Sequence, residues 1–533
     1  MYCTDILTPD MAQWQSTDRI YIQAPTGSGK TFFILKTLLP FAIAQGREIL
    51  YLSNRQILHQ QLVKETCDYL GIFFEDMKHE KIAEFAGITF MTYQTMQEKL
   101  KKINCVLYSI PHYYVVLDEI HYLTVDSKFN AETYRILDVF RAAKHNVLIA
   151  ISATLEETLQ FLDFYGSGWE LVEKEAHKEV YMRNPQEMLK IMRGELERLY
   201  FYKVSTEKPR YKIFIYDDIE QVIEIINRDI SGGKWLVFQS DKTRISQELR
   251  KKITKKCEVV SADNKGSDTM KKIVEKQKFE SFVLITTQVL DNGISLHDTQ
   301  LANIVLDTSS RIEFLQMIGR KRFGLGEKNE LMLYLPRHSI KYFSWLLKKT
   351  EEALEIIMLP TQDVLEKTLQ SKEVYEIMKN YYTVQDGHLY LNPIAKSLLE
   401  EDKRFYESIL KTLEMDENAF FLETLKWLEC EVNDTVYVDL REEKMVAIRA
   451  ELEAFLTKNK DRRMEKVEQE SFRTDLDKYF TLMVDGYKPR KNSPVGLCKI
   501  NKIFKQLNLQ WQVNSINMKQ EGEETVWILQ EKV

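Results

Sequence analysis

The stretch Ile20-Tyr21-Ile22-Gln23-Ala24-Pro25-Thr26-Gly27-Ser28-Gly29-Lys30-Thr31, followed by Phe32-Phe33-Ile34-Leu35-Lys36-Thr37-Leu38-Leu39, decides how the first third of the chain folds. An apolar run of β-formers stops at a turn rich in glycine, and a helical pattern starts directly after Lys30-Thr31. Such a strand-turn-helix unit is built to hold phosphate. Its glycines let backbone N–H groups approach phosphate oxygens, and the helix N-terminus adds a positive dipole. Lys30 reaches the β- and γ-phosphates, and Thr31 is placed to ligate Mg2+. Thr26, Gly27, Ser28, Gly29, Lys30 and Thr31 are therefore the expected nucleotide-binding set.

Working outward, short β-rich runs alternate with helical stretches from about residue 19 to 160. IYIQ, EILYL, ITFM, YYVVLDE and NVLIAIS read as strands, and their continuous apolarity fits a parallel sheet covered on both faces. The run Val115-Val116-Leu117-Asp118-Glu119-Ile120-His121 ends in two adjacent carboxylates. At a strand's C-terminal end, Asp118 can hold the metal ion while Glu119 orients and deprotonates the attacking water. The alternation resumes with YKIFIY, WLVFQS, CEVVS, FVLITT, ANIVLD and ELMLYL, a second α/β domain. The expected boundaries are 1–165 and 211–345 for these two domains, with a helical connector at 166–210. A mainly helical acidic region, 346–465, follows, and a basic module, 466–533, ends the chain.

Length and charge agree with several domains. A chain of 533 residues should hold three or four domains at about 150 residues each. With 44% hydrophobic and 29% charged residues it is globular in composition, neither collagen-like nor mainly disordered. The net charge of −6 points away from nucleic acid only when the chain is taken whole. Residues 1–345 hold 46 basic and 45 acidic side chains, 346–450 hold 13 and 22, and 471–520 hold 9 and 3. The six cysteines lie too far apart for a zinc or redox pair, no apolar run is long enough to span a bilayer, and a reduced, cytoplasmic setting is expected.

Taken in order, these stretches resemble the motifs of the superfamily 2 helicases of the DEAD/DEAH or DExH type, over residues 20–325. The resemblance implies two RecA-like domains with ATP and Mg2+ between them. It adds Ser152-Ala153-Thr154, which with His121 couples hydrolysis to strand separation. Ser53-Asn54-Arg55, Thr92, Gln239-Ser240 and Thr286-Thr287 become contacts to nucleic acid, and Asp291 and Gly293 join the nucleotide site. Gln316, Arg320 and Arg322 become catalytic together with Lys30 and Glu119, the arginines neutralising charge on the γ-phosphate.

Two departures matter. The family pattern is Q-x-x-G-R-x-x-R, and Phe323 stands at the second arginine's place, with Arg322 one residue early. Either Arg322 reaches the phosphate from a shifted backbone, or Arg320 suffices and turnover is slow. The glutamine motif upstream of the P-loop is also missing, since Gln13 and Gln15 do not match it. Together with DEIH rather than DEAD, this favours the DExH branch, whose members typically move 3′→5′.

The end of the chain reads as a helix over LCKINKIFKQLN and then two strands, WQVNSINMK and ETVWILQ, the ending of a winged-helix module. Lys499, Lys502 and Lys505 recur every third residue among aromatics, a pattern suited to phosphate contact and base stacking. An ordinary solvated helix is the competing reading. The expected partner is single-stranded or forked nucleic acid, DNA favoured over RNA, with a protein partner for the acidic helices. An ATP-gated scaffold or remodeller with little unwinding is the alternative function.

Overall fold

The apolar runs around the glycine turn form the centre of a large sheet. The computed structural model describes residues 2–25, 27–54, 56–74, 80–103, 108–143, 145–162, 169–183, 197–205, 209–239, 248–261, 267–287, 295–323, 330–359, 371–385, 388–429, 437–484, 486–489, 494–516 and 525–532. Strands β1 (Arg19–Gln23), β2 (Ile49–Ser53), β3 (Ile82–Phe85), β4 (Ile88–Thr92), β5 (Tyr114–Asp118), β6 (Val147–Ser152), β7 (Trp169–Lys174), β8 (Lys178–Arg183) and β9 (Glu197–Lys203) stand in the order β3-β4-β2-β5-β6-β1-β9-β8-β7. From β4 to β9 the neighbours run parallel. Antiparallel strands add β3 at one edge and β8 and β7 at the other.

Every residue of β5 and β6 is buried. The pleat sends successive side chains to opposite faces, so each strand feeds two cores. Ile20, Ile22 and Val116 belong to one, and Tyr21, Val115 and Leu117 to the other.

The expected helical connector at 166–210 is corrected here. Most of its described residues form β7, β8 and β9, which widen the sheet beyond β1, and none of its described residues is helical. Its polar composition hid the strands. Leu199, Tyr200, Phe201 and Tyr202 are bulky β-formers, and in β9 they pair in register with β1.

In the second domain β10 (Arg210–Tyr216) precedes β11 (Lys234–Phe238), β12 (Cys257–Val260), β13 (Val283–Thr286), β14 (Leu301–Val305) and β15 (Glu330–Pro336). The order β12-β13-β11-β14-β15 is parallel throughout. Between β14 and β15 lies a short helix, Arg311–Ile318, whose N-cap Ser310 accepts a hydrogen bond from the Glu313 N–H.

Helices then strap the two domains together. Ile340–Ile357 leads out of the second domain, and Lys372–Tyr381, Pro393–Leu413 and Ala419–Trp427 follow. Ile394 and Leu398 sink into the first domain's core, and Lys128 Nζ lies 2.6 Å from Asp402 Oδ2. On the other side Trp427 packs edge-on against Phe314, and Arg337 contacts Glu417 at 3.2 Å. Asn392 is fully buried at the first of these junctions. Its amide donates to Thr133 Oγ1 at 2.9 Å, and its side-chain oxygen caps Pro393–Leu413 by accepting from the Ile394 and Ala395 N–H groups. Removing a cap together with a buried partner should lower stability by about 2 kcal/mol in Asn392→Ala, read from the denaturation midpoint.

Residues 437–533, with Phe214–Asp217, cluster as a second compact unit. Helices Leu440–Lys458, Lys466–Met483 and Leu497–Gln506 surround one core with the strands Arg463–Met464, Trp511–Ile516 and Val526–Glu531, the last strand lying between the other two. The helix Leu440–Lys458 contributes Leu452 and Leu456 to this core, so an expected boundary at 466 cuts through the unit. Within Leu497–Gln506, Ile500, Ile503 and Phe504 are buried while Lys499, Lys502 and Lys505 are exposed. No helix among the described residues is long and apolar enough to cross a membrane.

Candidate active site

The site begins where β1 stops. Gly27 and Gly29 both take φ of 83°, a left-handed backbone that favours glycine. The helix Lys30–Phe33 then starts and passes directly into a π-helical turn, Ile34–Leu38. Ser28 is buried, and its hydroxyl donates to the Pro25 carbonyl at 2.7 Å. The N-terminal helix Cys3–Leu7 packs against this turn, with the Cys3 N–H donating to the Ser28 carbonyl at 2.8 Å. The ring of Tyr2 lies 3.7 Å from where a Cβ on Gly29 would stand.

Strand order sets which carboxylates meet the turn. β6 lies between β1 and β5, so the ends of all three converge. Lys30 Nζ is 3.0 Å from Glu119 Oε1. His121 Nδ1 lies 3.2 Å from Glu119 Oε2 and 2.9 Å from Ser152 Oγ. That hydroxyl also accepts from the Thr154 N–H at 3.0 Å. Glu119 itself has φ of 51°, left-handed for a residue with a side chain, which costs about 1 kcal/mol and aims its carboxylate at Lys30.

Electrostatics separate the two acids. Burial first, and then the charge of Glu119, push Asp118 up to about 6. Burial also opposes the Glu119 charge, but Lys30, His121 and Arg320 outweigh it and hold that carboxyl well below its usual range. Asp118 Oδ1 is buried with no hydrogen-bond partner among the described residues. An acceptor left orphaned in the interior is strongly unfavourable until a proton or a cation reaches it.

The second domain delivers two arginines to the same place. Arg320 is buried at the end of the turn after Arg311–Ile318. Leu296 and Lys321 pair as a parallel bridge, with the Leu296 N–H donating to the Arg320 carbonyl and the Arg322 N–H to the Leu296 carbonyl. This pairing turns Arg322 toward the first domain. Its Nε donates to Ser295 Oγ at 3.0 Å, and its Nη1 lies 3.4 Å from where a Cβ on Gly27 would be. Burial and the neighbouring Arg320 push the Arg322 guanidinium down to about 10, a cation held where an anion would relieve it.

The other sequence candidates fall into three groups. Ser53 and Asn54 are buried at the end of β2, and Gln239, Thr286 and Thr287 are buried at the ends of β11 and β13. Thr92 caps the helix Tyr93–Lys101, its hydroxyl accepting from the Thr95 N–H, and Gln316 is buried on Arg311–Ile318. Thr26, Arg55, Ser240, Asp291 and Gly293 lie outside the described residues. Lys499, Lys502 and Lys505 lie in the second unit. Sequence reasoning missed Tyr2, Cys3 and Ser295, and of these only the closeness of Tyr2 and Cys3 to the P-loop in the chain offered a signal.

Comparisons with known proteins bear on both domains. Residues 5–157 match the family model described as type III restriction enzyme, res subunit, and residues 217–324 match the helicase conserved C-terminal domain. No curated protein matches the chain in sequence. Among solved structures, it is similar to S. cerevisiae Dbp5 bound to RNA and ADP BeF3, at 15% identity over 62% of this chain and 82% of that one, with a TM-score of 0.41. A single-substitution form of Dbp5 bound to the same ligands gives 16% identity, 62% and 81% coverage, and a TM-score of 0.40. At these scores the likeness adds nothing to the fold, which rests on the strand orders and registers given above.

Proposed function

We propose, from the premise that the chain is a superfamily 2 helicase, that it hydrolyses Mg-ATP between its two sheet domains to move 3′→5′ along single-stranded DNA. The two family matches carry the premise, and with it an ATP-hydrolysing activity and a nucleic-acid partner. The observation that carries the catalytic reading is the meeting of Arg322 with Gly27 across the cleft, 3.4 Å from the space a side chain would fill. A phosphate held by the glycine turn would meet a desolvated guanidinium supplied by the other domain. This favours turnover over an ATP-gated scaffold, whose support was the misplaced second arginine.

Each residue then has a stated task. Lys30 and Glu119 form an ion pair at 3.0 Å. A γ-phosphate drawing Lys30 away would free Glu119 to take a proton from water, with His121 and Ser152 fixing its position. The orphaned Asp118 Oδ1 and the hydroxyl of Thr31 fit Mg2+. When bound, the ion supplies neutralising charge on the β- and γ-phosphates. Arg320 and Arg322 would stabilise charge that grows in the transition state, and the link from His121 through Ser152 to Thr154 would report nucleotide state to the strand ends. There Ser53, Asn54, Gln239, Thr286 and Thr287 would face nucleic acid.

DNA is favoured because the first-domain match is to a restriction-enzyme subunit. The terminal unit supports a winged-helix role, since the exposed lysine face of Leu497–Gln506 precedes a hairpin. Strand displacement tests both points, using duplexes with a 3′ or a 5′ single-stranded tail of DNA or of RNA. Unwinding only with a 3′ DNA tail is expected. Unwinding that prefers a 5′ tail, or an RNA tail, would overturn direction or substrate.

A further inference from the structure

We propose that the first half of the helix Ile340–Ile357 is a binding site for single-stranded nucleic acid, with Trp345 as a base-stacking platform and Lys341, Lys348 and Lys349 as phosphate contacts. The proposal rests on the helicase reading and adds a site outside the family motifs. Whole-segment charge hid this patch. The acidic total of the helical region and a boundary drawn at 345/346 split its side chains between two segments.

Trp345 is 51% exposed, whereas Trp14, Trp235, Trp427 and Trp511 are buried. An indole left in water forfeits the large gain that burial would bring, so packing does not explain it. On a helix, positions three and four apart share a face, which places Lys341, Lys348 and Lys349 around the ring. Lys349 Nζ stands over the ring, 4.0 Å from its centroid, so a base stacking on that face would displace the ammonium toward its own phosphate. Lys348 reaches Glu352 only at 3.8 Å with both side chains largely exposed, a pair worth little in water. Lys341 makes no ion pair among the described residues.

The order of charges runs against helix stability. Residues 340–349 carry three lysines and no acid, and residues 351–355 carry three glutamates. The helix has no acid in its first turn and no base in its last. A macrodipole favours the reverse, with acids near the N-terminus and bases near the C-terminus. Cations placed where the dipole repels them would be favoured by a bound anion.

Position supplies that anion. β15 ends at Pro336 and the helix begins at Ile340, so the patch starts from the same edge of the parallel sheet at which β11 and β13 end, with β14 between β15 and β11. Open parallel sheets bind their ligands at this edge, and Trp345 lies only about 8 Å along the helix axis from its first residue. A strand leaving the second domain's edge would pass over the ring. Stacking needs the open face of an unpaired base, which selects single strands over duplex, and ring plus lysines is the combination such strands use.

The test uses the full chain with fluorescent oligothymidine, oligouridine and duplex DNA, followed by anisotropy at several salt concentrations. Trp345→Ala should weaken oligothymidine binding about five- to a hundredfold, and Trp345→Phe should keep most of the affinity. Replacing Lys341, Lys348 and Lys349 with Gln should flatten the salt dependence. ATP hydrolysis without nucleic acid should stay at the wild-type rate in every variant. Oligouridine losing affinity in parallel places both kinds of single strand on the ring. Equal losses on duplex and single strands in Trp345→Ala would overturn the stacking role. Wild-type affinity in both variants, with wild-type hydrolysis still stimulated by nucleic acid, would overturn this site and leave the helicase reading standing. A wild type that neither binds nor responds to any of the three probes would bring down both.

Discussion

Arg320→Ala and Arg322→Ala are each expected to lower kcat for ATP hydrolysis by about 10³-fold while ATP affinity changes little. An arginine that meets the transferring phosphoryl group typically contributes 10³ to 10⁵ in rate, about 4 to 7 kcal/mol of barrier. Both guanidiniums are desolvated near Glu119, and the Arg322 cation is depressed by burial and by Arg320. An anion of growing charge would be stabilised by such a pair. Arg322→Lys should rescue little, because an ammonium cannot reproduce the planar fork. Wild-type kcat in Arg322→Ala, with the loss confined to Arg320→Ala, would return the mechanism to a single arginine and leave Arg322 as a packing residue.

Glu119→Gln is the second large effect, with kcat expected to fall by about 10² to 10⁴ and ATP binding retained. The substitution keeps the shape of the side chain and its left-handed backbone but removes the base. Lys30 and His121 hold the Glu119 carboxyl well below its usual range, so the base itself stays ionised at neutral pH and a loss of activity on mild acidification would not come from Glu119. Single-turnover hydrolysis beside nucleotide-binding titration separates the two steps. An equal loss of binding would instead make Glu119 the counter-ion that keeps Lys30 in place.

How much of this was legible depends on the distance over which a residue's role is decided. The glycine turn, β1 and β5 declare themselves locally, because buried parallel strands must be continuously apolar and a phosphate-binding turn must carry glycine. The β7–β9 extension was misread because strands at a sheet's edge need not be apolar, and β7 is largely exposed. The register of Arg322 was not readable at all. Its direction is set by Leu296, which pairs with the neighbouring Lys321, and by Ser295, which lies 27 residues upstream of Arg322 in the chain. For the same reason the strap was invisible: Asn392 meets Thr133 across 259 residues of chain, and Lys128 meets Asp402 across 274. Trp345 was present in the sequence but became informative once its exposure was known.

The central claim is a nucleic-acid motor driven by ATP, and the steady-state rate of ATP hydrolysis by the full chain tests it most directly. The rate is compared with no nucleic acid, with single-stranded DNA, with duplex DNA and with single-stranded RNA, alongside Lys30→Ala as the control. A low basal rate that single-stranded DNA raises most, and that Lys30→Ala abolishes, is the expected result. A rate indifferent to every nucleic acid, or one that survives in Lys30→Ala, would contradict the account.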